Sequence, residues 1–161
     1  LWDWERGEIV RTIETPAVQA VVDPQSRRIA ARLEQDGTVG VWDAASGEQV
    51  ATLSGSAVVN ALAYGSDGSR IATAGVDGVV RLWDPDTGEQ DLELRGQGTN
   101  VQAVVLSPDG TRLASVGSDG LVRVWALGLD DLISIAEQRL TRSFTDDECR
   151  QFLDVDRCPV A

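Results

Sequence analysis

The stretch Val76-Asp77-Gly78-Val79-Val80-Arg81-Leu82-Trp83-Asp84-Pro85-Asp86-Thr87-Gly88-Glu89 decides how the rest of the chain is read. It sets a short apolar run between two turn signals. Asp-Gly ahead of alternating apolar residues is a strong hairpin signal, because the tight turn needs a positive φ that glycine adopts at little cost. Val79–Trp83 has the length and β-branched content of a strand. Trp-Asp followed four residues later by glycine marks the second turn.

Working outward, the same pattern recurs. The triplets Leu1-Trp2-Asp3, Val41-Trp42-Asp43, Leu82-Trp83-Asp84 and Val124-Trp125-Ala126 place tryptophans 40, 41 and 42 residues apart. Asp36-Gly37, Asp77-Gly78 and Asp119-Gly120 each stand six residues ahead of a tryptophan, and Gly7, Gly47 and Gly88 follow the Trp-Asp pairs. A third turn repeats as Asp23–Arg27, Ser66–Arg70 and Pro108–Arg112. Three kinds of turn at fixed offsets make a tandem array. The segments between turns, such as Gln49–Leu53, Val58–Tyr64 and Ile71–Ala74, read as strands, so one period is a four-stranded antiparallel meander. In Val79–Trp83, Val80 and Leu82 point one way and Val79, Arg81 and Trp83 the other. A sheet that is apolar on both faces must be covered on both. Blades repeated around an axis meet that need, which predicts an all-β chain of β-propeller blades.

The motif resembles the WD-repeat (tryptophan–aspartate) family of propellers. The resemblance rests on Val39-Gly40-Val41-Trp42-Asp43, Val80-Arg81-Leu82-Trp83-Asp84 and Val122-Arg123-Val124-Trp125 with their preceding Asp-Gly turns, and spans roughly residues 1–126. It implies that Trp42, Trp83 and Trp125 lie on third strands, with Asp43 and Asp84 following two of them. It also implies that Asp36, Asp77 and Asp119 join a buried network with a strand hydroxyl and a histidine. The hydroxyl positions correspond to Thr73 and Ser115, with Ala31 in the first full repeat. The family's Gly-His pair is reduced to Gly55-Ser56 and Gly96-Gln97, so the histidine relay is expected to be missing and the blades to rely on packing and on Asp-to-amide bonds. The expected organisation is a remnant blade over 1–13, blades over 14–54 and 55–95, a last blade over 96–127 without its outer strand, and a helical tail over 128–161. That is an open arc of about three blades, read as the C-terminal part of a longer protein.

The tail changes in kind. Leu129, Leu132, Ile133, Ala136 and Leu140 fall at helical spacing. Thr145 and Glu148 form a capping box with Phe144 placed to staple onto Cys149. The segment from Leu140 to Pro159 resembles the short tail that closes many bacterial multidomain WD-repeat signalling proteins. Of three readings for Cys149 and Cys158, free buried thiols stand ahead of a local bridge, which a cytoplasmic compartment opposes, and of a redox pair. Trp4 is read as a lid on its own turn, with an exposed anchor as the alternative.

Composition narrows the function. The chain carries 26 acids against 14 bases, a formal charge of −12; all 14 bases are arginine, and histidine, lysine and methionine are absent. No imidazole is present for base catalysis or metal ligation. No lysine is present for a Schiff base or phosphate loop. Net acidity argues against nucleic acid and anionic membranes as partners. No cofactor or metal is expected. A non-catalytic scaffold for protein–protein interaction is the leading reading, the partner being another protein or the rest of its own chain. The alternatives are a regulatory sensor propeller of a STAND-type signalling NTPase or kinase and, remotely, a propeller hydrolase. Against the last, the innermost strands offer only Gln19, Asn60, Tyr64 and Gln102 as polar groups. By family analogy the partner-contact loops hold Gln35, Ser56, Val76, Gln97, Thr99, Asn100 and Ser118. Open sheet ends are expected to make the isolated chain self-associate.

Overall fold

The computed structural model describes residues 2–3, 5–34, 37–55, 58–98, 100–128 and 132–133. Gln35, Asp36, Ser56, Thr99, Trp4, Cys149, Cys158 and the capping box at Thr145 lie outside the described residues. The chain divides into two compact units, Leu1–Leu127 and Gly128–Ala161. In the second, Leu132 and Ile133 are helical.

The first unit is all β. A short hairpin pairs β1 (Trp2–Asp3) with β2 (Glu8–Ile9). Two four-stranded antiparallel meanders follow. One holds β3 (Ala17–Val22), β4 (Arg28–Leu33), β5 (Val39–Asp43) and β6 (Gln49–Leu53); the other holds β7 (Val59–Tyr64), β8 (Ile71–Gly75), β9 (Val80–Trp83) and β10 (Gln90–Leu94). A three-stranded sheet of β11 (Val101–Leu106), β12 (Arg112–Gly117) and β13 (Val122–Ala126) completes the unit. The first strands of successive sheets, β3, β7 and β11, lie beside one another.

Cross-strand register explains the two-faced core. Val41 opposes Ala30 and Ala51 on one face of the first sheet; Trp42 opposes Ile29 on the other. The first face enters a cluster that also holds Val39, Leu53, Leu62, Ile71 and Trp83. The far side of the second sheet, with Ala72, Ala74, Val80 and Leu82, joins Val101 and Leu113 in a second cluster, against which Leu106 and Trp125 pack. Both faces of the second sheet are therefore covered, which is why Val80 is 0% and Leu82 1% exposed. Each such side chain contributes roughly 1.5–3 kcal/mol over its exposed state.

The β8–β9 turn has the positive φ expected of its glycine, and the first-to-second-strand turn departs from the sequence reading in register. The Asp-Gly turn at β8–β9 is a three-residue loop: the Gly75 N–H donates to Val79 O at 3.2 Å, and Gly78 takes φ 74°. In the first-to-second-strand turn, Ser26 (φ 57°) occupies the place held by Gly68 and Gly110 in the later sheets, so the repeat unit there is Pro24–Arg28, one residue on from the expected Asp23–Arg27. A left-handed serine costs more than glycine. The buried Asp23 carboxylate supports the turn by accepting from the Arg27 N–H at 2.6 Å.

Candidate functional site

The repeat motif residues are held by short, local chemistry. Asp43 follows Trp42 and turns the chain: its carboxylate accepts from the N–H of Ala45 at 3.1 Å and of Ser46 at 2.7 Å. Asp84 repeats the arrangement with Asp86 at 2.7 Å and Thr87 at 3.1 Å. These Asx turns occupy the carboxylate lone pairs with backbone donors. The Ser46 bonds hold Asp43 below the ordinary carboxylate range.

Inside the second sheet the Trp83 indole N–H donates to Thr73 Oγ1 at 2.8 Å, both side chains being buried. Asp77 accepts from the Val79 N–H at 3.2 Å and from the Arg81 guanidinium at 2.7 Å. Burial pushes the Asp77 carboxyl up, but the Arg81 bond and the amide outweigh it and the net shift is downward. The last sheet repeats the scheme. Trp125 donates to Ser115 Oγ at 2.8 Å, and Asp119 accepts from the Leu121 N–H at 3.0 Å and from Arg123 at 2.9 Å. In the first sheet Ala31 offers Trp42 no hydroxyl, and the Trp42 ring instead lies over Gly40, where a Cβ would overlap the indole.

Gln97 corrects the sequence reading twice. It was expected on a partner-contact loop, yet it is 1% exposed. It was also read as the loss of the histidine relay, yet it fills that role. With its amide oxygen toward the donors, it accepts from the Gly117 N–H at 2.9 Å and from Arg123 at 2.8 Å, while its nitrogen donates to Ser115 Oγ at 2.8 Å. The reverse orientation would face donors with donors. Trp125, Ser115, Gln97, Arg123 and Asp119 thus form one continuous polar chain in the last sheet.

Of the other residues expected on partner-contact loops, the described ones, Val76, Asn100 and Ser118, are exposed and share one end of the sheets. They are tied together by the backbone: the Val76 N–H donates to Val58 O at 3.1 Å and the Ser118 N–H to Asn100 O at 2.8 Å. The Asn60 side chain, from β7, donates to Asn100 Oδ1 and to Val101 O, linking two sheets. Two residues outside the expected set complete this rim: Val58, 47% exposed, and Leu121, 55% exposed. Leu121 is exposed although its counterpart in the second sheet, Val79, is buried.

At the opposite end a shallow recess of about 260 Å³ is lined by Asp67, Ser69, Arg70, Leu106 and Asp109 among others. Its carboxylates serve their own turns. Asp109 accepts from Ser107 Oγ at 2.5 Å and from the Thr111 N–H at 3.0 Å, bonds that hold it down to about 2. Asp67 accepts from the hydroxyl and N–H of Ser69, which lower it in the same way. On the innermost strands Tyr64 packs against the first core cluster, where burial raises its phenol. Among the described residues no group of three or more carboxylates, thiols or imidazoles could hold a metal ion, and no helix is long and apolar enough to cross a membrane.

No curated protein matches the chain. Among solved structures, the crystal structure of the computationally designed Ika4 protein is similar at a TM-score of 0.67 and 24% identity, over 79% of this chain and 78% of that one. At that identity the likeness concerns the fold. The family described as WD domain, G-beta repeat (WD40) matches residues 47–84 and 88–126. Repeats of this family build propeller scaffolds for protein interaction and are generally non-catalytic. The Trp-Asp turns, the Trp-to-hydroxyl bonds and the four-stranded meanders agree with both comparisons: residues 47–84 and 88–126 of this chain are WD repeats, and the fold is that of β-propeller blades.

Proposed function

We propose that this chain is a non-catalytic scaffold that binds a protein partner through the rim formed by Val58, Val76, Asn100, Ser118 and Leu121. The observation that carries this reading is the combination of exposure and rigidity there. Three aliphatic side chains are 47–55% exposed on loops that are hydrogen-bonded to one another and anchored by the Asp77–Arg81 and Asp119–Arg123 pairs. Stiff sheets that hold short loops in place are suited to recognition. Exposed apolar groups set among small polar ones are suited to a protein surface of like character. The opposite end presents carboxylates already engaged by their own turns. A bacterial signalling protein is the proposed setting, supported by the resemblance of residues 140–159 to the tails of such proteins.

Photocrosslinking tests the reading. A benzophenone amino acid placed at Val76 is expected to capture a discrete protein in cells, and the adduct to disappear when Val58 and Leu121 are both changed to Asp. The same probe at Thr87, on the opposite end, is expected to give no such adduct. Identical adducts from both positions, or an adduct indifferent to the two substitutions, would refute the assignment.

A further inference from the structure

One cross-strand row differs between the sheets in kind. In the second sheet, register sets Ala61, Ala74 and Val80 side by side, and all three are buried in the second core cluster. The third sheet repeats the row as Ala103, Val116 and Val122. The first sheet has Gln19, Arg32 and Val39 there. Val39 and the adjoining row of Val21, Ala30 and Val41 belong to or pack on the first core cluster, so this is the face that meets the second sheet. An arginine and a glutamine thus stand in a seam where the repeat elsewhere has alanine and valine.

The fold gives this arginine nothing to bind. Among the described residues six other arginines hold ion pairs, such as Arg28 with Asp86 and Arg81 with Asp77. Arg32 holds none, and its Nε is buried without a hydrogen-bond partner. An enclosed, unmet N–H lowers stability, so its retention calls for a cause outside the packing. The two terminal nitrogens are not enclosed, and the residue as a whole is half-buried. The stem is therefore fixed in the seam while the outer edge of the guanidinium stays open. Arg32 is next to last in β4, at the rim end of the sheets, where the Val59 N–H donates to Gly37 O at 3.4 Å across the same seam. The cations Arg81, Arg95 and Arg123 at this end are matched by Asp77, Glu93 and Asp119.

We propose that Arg32 and Gln19 form a carboxylate-binding site that takes an aspartate or glutamate side chain of the protein partner. The partner's presence rests on the rim assignment above; the site itself rests on Arg32. The two oxygens of a carboxylate match the paired terminal N–H groups of a guanidinium, and the Gln19 amide, directly across the strands, adds a donor. One uncompensated positive charge suits a monoanion. A phosphate group, nearer −2, would call for a second cation, and those at this end are already matched. Val58 and Val76, exposed at the same end, offer apolar surface to the residues on either side of the acid.

The test titrates the 161-residue chain with the capped tripeptides acetyl-Val-Glu-Val-amide and acetyl-Val-Gln-Val-amide while the arginine Nε–H signals are followed by heteronuclear NMR. The signal lost in Arg32→Met is that of Arg32. The glutamate peptide should move it with half-saturation at roughly 1–10 mM, and the signals of Arg81 and Arg123 much less. The glutamine peptide should bind about tenfold more weakly or not at all. Arg32→Met should melt at or above the wild-type temperature, because it removes an unmet N–H and no bond. In cells, the adduct from benzophenone at Val76 should fall about tenfold in Arg32→Met, the loss of one well-formed ion pair. An unmoved Arg32 signal, or equal shifts from both peptides, overturns the proposal. Inorganic phosphate acting at lower concentration than the glutamate peptide overturns it in favour of a phosphate ligand. A melting temperature lowered by more than about 5 °C in Arg32→Met makes the residue structural and also overturns it. An adduct undiminished in Arg32→Met overturns the site and leaves the rim standing. If wild type gives no adduct, the rim assignment fails and the titration alone decides the carboxylate site.

Discussion

Replacing Gln97 with leucine keeps the side chain's approximate volume and removes its amide. Three hydrogen bonds disappear: to Ser115 Oγ at 2.8 Å, from the Gly117 N–H at 2.9 Å and from Arg123 at 2.8 Å. None of the three partners is stranded. The Gly117 N–H keeps Leu121 O at 3.1 Å, Arg123 keeps Asp119 at 2.9 Å, and Ser115 keeps Trp125 at 2.8 Å. The loss is then the net value of the bonds, at about 0.5–1.5 kcal/mol each and more for the charged one. Extra apolar burial by leucine offsets part of this, at about 1 kcal/mol. The expected destabilisation is about 2 kcal/mol, which lowers Tm by roughly 4–8 °C in a chain of this size. Gln97→His retains a donor and an acceptor on opposite sides of one ring and is expected to cost less than about 1 kcal/mol. Urea unfolding followed by tryptophan fluorescence and circular dichroism reads both. A leucine variant within about 0.5 kcal/mol of wild type would refute the relay. A histidine variant as damaged as the leucine one would show that shape, not hydrogen bonding, is what matters at this position. A double-mutant cycle with Ser115→Ala should give a coupling of ~0.5–3 kcal/mol if the two act as one chain.

Two further outcomes follow from the same geometry. Thr73→Val preserves shape but leaves the buried Trp83 indole N–H without its 2.8 Å acceptor; a loss of about 1–3 kcal/mol is expected in chemical unfolding, and no loss would mean that the bond is incidental. Acid should destabilise the chain through its turn carboxylates. Asp109 falls from the ordinary 3.8 to about 2 in the folded state, so its contribution is fully present above about pH 4 and is lost as pH drops through 2. Asp43, Asp67, Asp77 and Asp119 shift the same way. The urea midpoint should fall between about pH 4 and 2, less steeply in Asp109→Asn; a midpoint that rises over that window would contradict the sign.

Much of the fold was legible because its cause is local. Asp43 and Asp84 bond to amides two and three residues ahead, so a Trp-Asp-x-x-x-Gly spacing announces the turn without any knowledge of the rest of the chain. The alternation in Val80-Arg81-Leu82-Trp83 likewise announces a strand buried on both faces. The site was less legible, since its members meet across 18 to 40 residues. Gln97 reaches Ser115, and Asn60 reaches Asn100, through stacking that no local window contains. Gln97 read as a solvent-facing substitute for histidine; only the closure of the last sheet over it shows a buried amide joining three partners.

The sequence by itself determined the period, the strand order within each meander and the turn chemistry, because side-chain type and short spacing are sufficient for these. Tertiary structure decided which copy of a repeated residue is core and which is surface. Val41, Leu82 and Val124 occupy the same place in the same motif, yet the first two are sealed by the next sheet and the third is 64% exposed. A repeat encodes a face; whether that face is covered depends on its neighbour in the stack.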